Sequence, residues 1–289
     1  MVPGMLNSGT PRTLSLEVPM PVQADWIRFG EHSGYLARPQ GAAAAQPAVL
    51  VIQEIWGVDG HIQDVTRRLA AAGYTALAPD LYARDGVRPP ALAQERIAEV
   101  MGFWNSLPAA TSGDPFARAK ALAALPEPER GRIGETYTAT FGNTAGLDRF
   151  LPALRAAVAH LRRDCPASAG QPVGCVGFCM GGGLSALLAC EDPELACAAI
   201  FYGSAPPLER VPAIACPVAG FYGSLDARIN AGLPAFAEAM KTHGKDFQYQ
   251  MYEGAAHSFF NDARPSYHVG AARDSFARLL ELFRRSLAP

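Results

Sequence analysis

No stretch of the 289-residue chain comes near the roughly 20 uninterrupted apolar residues that a membrane-spanning helix needs. The alanine- and leucine-rich runs are cut by Gln46, by Pro47 and by the segment Glu191-Asp192-Pro193-Glu194. The opening residues MVPGMLNSGTPRTLSLEVPMPV lack a basic start and a continuous apolar core, so no secretory signal is read there and a soluble, cytoplasmic protein is expected. An excess of one charge is also missing: 25 Lys and Arg stand against 27 Asp and Glu, with no long run of either sign. That balance gives no reason to expect nucleic acid or an anionic membrane as a partner. No Cys-x-x-Cys pair occurs, and Cys175 with Cys179 has no second ligand pair downstream, which speaks against zinc. With six cysteines and no signal peptide, a disulfide framework is not expected. Cys175, Cys190, Cys197 and Cys216 sit in apolar surroundings and read as small core residues.

What the chain does contain is an alternation of short apolar runs with helix-length segments, the pattern of an α/β protein with a mostly parallel central sheet and helices on both faces. An antiparallel pair is expected near Leu14 to Val18 and Gly34 to Ala37. Buried strands are expected at Ala48 to Ile52, Thr75 to Ala78, Gly174 to Gly177, Ala198 to Tyr202, Val218 to Tyr222 and Gln248 to Tyr252. Helices are expected at Asp64 to Ala72, Ala91 to Trp104, Leu147 to Arg163, Gly181 to Cys190, Leu233 to His243 and Val269 to Ser286. Gly41 to Gln46 reads as an alanine-rich loop tip. The length leaves one or two domains open; a single domain over residues 1–289 is expected, with residues 105–144 inserted as a cap or lid, since that span is too long for a simple connection.

The segment Val176-Gly177-Phe178-Cys179-Met180-Gly181-Gly182-Gly183 runs an apolar strand directly into Gly-x-Cys-x-Gly and then into a helix, the nucleophile elbow of α/β-hydrolases with Cys in place of Ser. Glycines flank the nucleophile because the turn is too tight for side chains there. The helix N-terminus that begins at the sulfur favours a thiolate and an oxyanion beside it. A buried cysteine in a glycine-rich packing turn is the alternative. In the same fold an acid and then a histidine follow on loops after later strands, which points to Asp226 and His257; His268 is the rival histidine. Glu54, straight after Ala48 to Ile52, should face the same crevice as Cys179, or else cap a helix at the surface.

Together the blocks VIQEIWGVDGHIQDVTRRLAAAGYTALAPDLYAR, VGFCMGGGLSALLA, GSLD and YEGAAHSFF resemble the dienelactone hydrolase family over roughly residues 34–88 and 147–286. The resemblance implies an α/β-hydrolase fold and a triad of Cys179, Asp226 and His257. It gives Glu54 the part of pairing with the thiol to help generate the thiolate, and places the oxyanion between the N–H groups of Ile55 and Met180. It implies hydrolysis of a lactone or ester through an acyl-enzyme, without metal or organic cofactor, in a monomer or small homo-oligomer. Trp56, Arg84, Arg96, Ser258, Asn261 and Arg264 are the substrate-binding candidates. The family holds a substrate carboxylate with arginines, and the position four after the histidine is here Asn261, with Arg264 three further on. Arg84 either lines the site or braces a loop. Because that clamp has changed, a carboxylesterase or thioesterase on a neutral ester is the competing enzyme, and a non-catalytic thiol sensor is the competing non-enzyme.

Overall fold

The computed structural model describes residues 21–108, 115–142 and 146–288. Strands β1 (Val22–Phe29) and β2 (His32–Pro39) form an antiparallel hairpin, closed by Gly30 with φ 59°. The first strand of the expected pair is therefore Val22–Phe29, whereas Leu14 to Val18 lies outside the described residues. β3 (Ala48–Ile52), β4 (Thr75–Pro79), β5 (Val173–Phe178), β6 (Ala198–Phe201), β7 (Val218–Gly223) and β8 (Phe247–Tyr252) run parallel to one another. The sheet order is β1-β2-β4-β3-β5-β6-β7-β8, and β2 joins β4 antiparallel.

β3, β4, β5 and β6 read as unbroken apolar runs because both of their faces are covered. One face carries α1 (Gly60–Ala71), through Ile62, Val65 and Leu69. The other carries α2 (Gln94–Ser106), α3 (Pro115–Ala123), α4 (Glu129–Phe141), α5 (Leu151–Ala159) and α6 (Met180–Glu191), with Leu154, Leu184 and Leu188 in that core. A short turn α7 (Ala227–Asn230) and α8 (Leu233–Thr242) complete the second face, and α9 (Val269–Ser286) returns to the first. Among the described residues no helix is long and apolar enough to cross a membrane.

Three departures from the sequence outlines have identifiable causes. α1 begins four residues early because Asp59 caps it, accepting the Ile62 N–H at 3.0 Å. The element expected at Leu147 to Arg163 enters as a 3-10 turn and leaves as a π turn, His160–Asp164. Most of the inserted span is helical: α4 forms over RIGETYTATF although glycine and threonine disfavour a helix, because Ile133, Thr136 and Thr140 bury one of its faces.

Candidate active site

Parallel strands put all their carboxyl ends at one edge of the sheet. Glu54 follows β3, Cys179 follows β5, Tyr202 follows β6, Asp226 follows β7 and His257 follows β8, so chain order alone brings these side chains to one edge.

Cys179 sits between β5 and α6 with φ 54° and ψ −114°, a backbone state an L-residue adopts only under constraint. The constraint is visible on both sides of it. A Cβ on Gly177 would lie 1.8 Å from the Gly181 carbonyl oxygen, and one on Gly181 would lie 2.3 Å from that of Ile52. Only glycine lets the strand, the helix and β3 approach so closely, and the turn they force lifts the half-buried sulfur to the start of α6. Met180, the first residue of that helix, has an N–H with no partner within the helix. The other five cysteines are buried, free thiols.

His257 Nε2 lies 3.1 Å from Cys179 Sγ, and its Nδ1 lies 2.5 Å from Asp226 Oδ2. An ionised carboxylate only accepts, so the Nδ1–H donates to Asp226 and leaves Nε2 to serve the sulfur. Burial works against a charged imidazole here. The neighbouring Cys179 sulfur and the hydrogen bond to Asp226 outweigh it, and together they hold His257 up to about 10. His268, the rival, is a cap: its Nδ1 accepts the Ala271 N–H at 3.1 Å at the start of α9.

Glu54 is buried, and Asn261 Nδ2 donates to its Oε2 at 2.9 Å. The expected pairing of Glu54 with the thiol is not among the hydrogen bonds of this structure, where Asn261 takes the carboxylate instead. Asn261 is itself fully buried and committed at both ends, since its Oδ1 accepts the Ala263 N–H at 3.0 Å. Asp59 lies near Glu54, and its carboxyl is raised first by burial and then by that neighbouring charge. Ile55 is fixed by Tyr82, whose hydroxyl donates to the Ile55 carbonyl at 2.6 Å. Tyr202 escaped the sequence reading. It is buried with φ 40°, its ring 5.2 Å from that of His257, and burial followed by the charges of Glu54 and Cys179 keeps its phenol protonated. Its place at the end of a parallel strand was the available signal.

The six substrate-binding candidates separate. Trp56 is buried and meets Trp104 and Phe141 edge-on at 6.2 and 5.8 Å. Arg264 lies 4.7 Å over the Trp56 ring, and its Nη1 donates to Asn105 Oδ1 at 2.9 Å. Ser258 adjoins His257 with φ 62°. Arg96 is turned away to brace α2 on α4, donating to the Arg132 carbonyl at 2.7 Å and to Glu135 at 2.9 Å. Arg84 is exposed in a turn whose backbone pairs with Val87, and among the described residues it makes no contact with the Cys179 cluster. Asn261 is occupied as above. Among the described residues no group of three or more His, Cys, Asp and Glu is arranged to hold a metal ion.

The dienelactone hydrolase family model matches residues 32–287. A candidate carboxymethylenebutenolidase of Saccharolobus solfataricus is 36% identical over 87% of this chain and 93% of its own length. Another, of Methylorubrum extorquens, is 32% identical over 83% and 72%. The solved structure of a candidate dienelactone hydrolase from Klebsiella pneumoniae superposes with a TM-score of 0.67 at 25% identity, covering 92% of this chain and 99% of that one. The chain belongs to the dienelactone hydrolase family and is a hydrolase of the carboxylic-ester class.

Proposed function

We propose that the chain hydrolyses a carboxylic ester or lactone through a thioester acyl-enzyme, with Cys179 as nucleophile, His257 as acid and base, and Asp226 as the group that orients it. The observation that carries this reading is the continuous line from Asp226 Oδ2 through His257 to Cys179 Sγ, at 2.5 and 3.1 Å, on a turn that holds the sulfur at a helix N-terminus. The thiolate attacks the carbonyl carbon, a C–S bond forms, and the carbonyl oxygen takes the negative charge. The N–H groups of Met180 and Ile55 receive that oxyanion, and the Gly57 N–H, which donates to the Glu54 carbonyl at 3.2 Å, fixes the peptide that carries the second of them. Collapse expels the alkoxide, which takes the proton from the His257 imidazolium. Nε2 then removes a proton from water as it attacks the thioester, and the thiolate departs to face a reprotonated His257. A thiolate leaves as readily as it attacks, which suits activated esters and enol lactones rather than amides.

In this reading Glu54 is a buried carboxylate positioned by Asn261 at the sheet edge that carries Cys179. The helices α3 and α4 serve as a cap, joined to the site through the Trp56, Trp104 and Phe141 rings. Arg264 is the cation placed to meet a substrate carboxylate, since it stacks on Trp56 and, among the described residues, its hydrogen bond goes to the neutral Asn105. A second reading, hydrolysis of a small neutral ester, is favoured by the commitment of Asn261 to Glu54 and of Arg96 to α4.

Steady-state hydrolysis of cis-dienelactone and of a short p-nitrophenyl ester, by wild type and Cys179→Ala, tests both. Turnover of dienelactone that vanishes in the variant supports the first reading. Turnover of the neutral ester alone, lost in the variant, keeps the mechanism and selects the second. Activity that survives in Cys179→Ala refutes the nucleophile.

A further inference from the structure

Two strands end the sheet, and they are not alike. β1 pairs only with β2, and β8 only with β7, among the described residues. β1 carries Asp25 and Arg28 within its length, the kind of charge that keeps a sheet edge from recruiting another strand. β8, Phe-Gln-Tyr-Gln-Met-Tyr, carries neither charge nor proline. Its inner side is settled by the hydrogen bonds to β7: Val218 N–H donates to the Asp246 carbonyl and Ser224 N–H to that of Tyr252, both at 2.9 Å. Parallel pairing alternates, so Phe247, Tyr249 and Met251 turn their N–H and C=O groups outward. Tyr249 is 49% exposed, and its ring stacks on Phe247 at 5.6 Å. A groove of about 510 Å³ lies on the face of the sheet between α9 and the strands β7 and β8.

We propose that this edge pairs antiparallel with the β8 of a second copy of the chain, about a two-fold axis at Tyr249. The argument is self-complementarity. In an antiparallel pair related by a two-fold axis perpendicular to the sheet, facing residues share one side of it, so the two positions must add to an even number. With the axis at Tyr249, Phe247 faces Met251 of the second copy and Gln248 faces Gln250. Just beyond the strand, Lys245 faces Glu253, and does so twice. Moving the axis one residue either way sets Lys245 against Met251 or against Ala255, and the charge match is lost. The same rule excludes the equivalent arrangement at β1, because Asp25 and Arg28 add to an odd number and cannot face each other across such an axis. The outward groups of Phe247, Tyr249 and Met251 supply about six backbone hydrogen bonds across the junction. One of them is already in demand, since Gln250 Nε2 donates to the Met251 carbonyl at 2.8 Å and would yield to the incoming strand.

Sedimentation velocity on the full chain over about a hundredfold range of concentration gives the first test. A concentration-dependent species of twice the chain mass is expected. A monomer throughout, as would follow if part of the same chain covers β8, overturns the proposal. The register is tested by reversing the two facing charges. Lys245→Glu and Glu253→Lys should each raise the dimer Kd about tenfold or more, since each sets like charges opposite one another twice. The double variant Lys245→Glu/Glu253→Lys should restore the wild-type Kd, which a variant that merely misfolds could not do. A dimer indifferent to the single changes, or not rescued by the double one, assigns association to another surface and refutes pairing through β8.

Discussion

Cys179 is flanked by two groups of residues built on different principles. On one flank Asp226 and His257 stand on the loops that leave β7 and β8, reaching each other at 2.5 Å and the sulfur at 3.1 Å. Their meeting depends on parallel strands that place every carboxyl end at one edge, and on a turn so tight that Gly177 and Gly181 cannot carry a side chain. On the other flank Glu54, Trp56, Asn261 and Arg264 are held by side chains from distant segments: Asn261 on Glu54, Arg264 on Asn105 and over Trp56, and Trp56 on Trp104 and Phe141. The first flank is fixed by topology and the second by individual contacts. On the proposed mechanism, substrate preference can drift on the second while the reaction stays fixed by the first.

Substitution on each flank should expose that asymmetry. Cys179→Ala and His257→Ala are expected to lower kcat/KM on every ester by roughly 10⁴-fold or more, because nucleophile and base act as one unit. Comparable turnover of dienelactone and p-nitrophenyl acetate by either variant would break the comparison at its stronger side. Asn261→Asp is expected to cost about 3 kcal/mol of stability in urea titration, since it sets a second carboxylate against buried Glu54. Asn261→Leu, which strands the Glu54 oxygen and the Ala263 N–H, should cost about 1–3 kcal/mol. If Asp proves no worse than Leu, the two carboxylates do not repel each other and the contact with Glu54 is not what holds this flank. Smaller still, Arg264→Ala should raise KM for a carboxylate-bearing ester about tenfold and leave kcat and the neutral ester nearly unchanged. A fall in kcat on both substrates would move Arg264 from substrate binding to the support of Trp56.

The same division decides what was legible in the sequence. Gly-x-Cys-x-Gly between a strand and a helix announces the elbow because the geometry demands those glycines. Asp226 and His257 followed from their order after later strands, and the structure sets all three within hydrogen-bond reach. All six parallel strands were outlined to within a residue at either end, five of them because a run buried on both faces is apolar throughout. The second flank was harder to read. Nothing local says that Arg96 turns away to the Arg132 carbonyl and Glu135, since both partners lie in a helix that tertiary burial, rather than propensity, holds together. Nor does a local pattern show that Asn261 spends both ends of its amide on Glu54 and Ala263. Tyr202 was hidden for another reason: an aromatic residue closing a buried strand looks like core until its φ of 40° turns it toward His257.

The smallest expected effect is a matter of pH. His257 rises from its ordinary 6.5 to about 10 in the folded chain, against burial, through the sulfur and Asp226. A group that binds its proton more tightly folded than unfolded stabilises the fold fully below its unfolded value. That contribution is lost as pH climbs through the folded one, so the window runs from about 6.5 to 10. The His257 side chain is 31% exposed, so the slope is shallow, and the measurement is the urea midpoint at intervals across that window. Wild type should lose stability as pH rises, and His257→Gln, which cannot take the charge, should lose less. Asp59 is also raised, by burial and by the charge of Glu54, but from 3.8, so its loss begins in acid. Parallel slopes for wild type and His257→Gln above pH 6.5 would mean that no imidazolium is held beside the sulfur, and the catalytic flank would then need a neutral thiol activated only when substrate arrives.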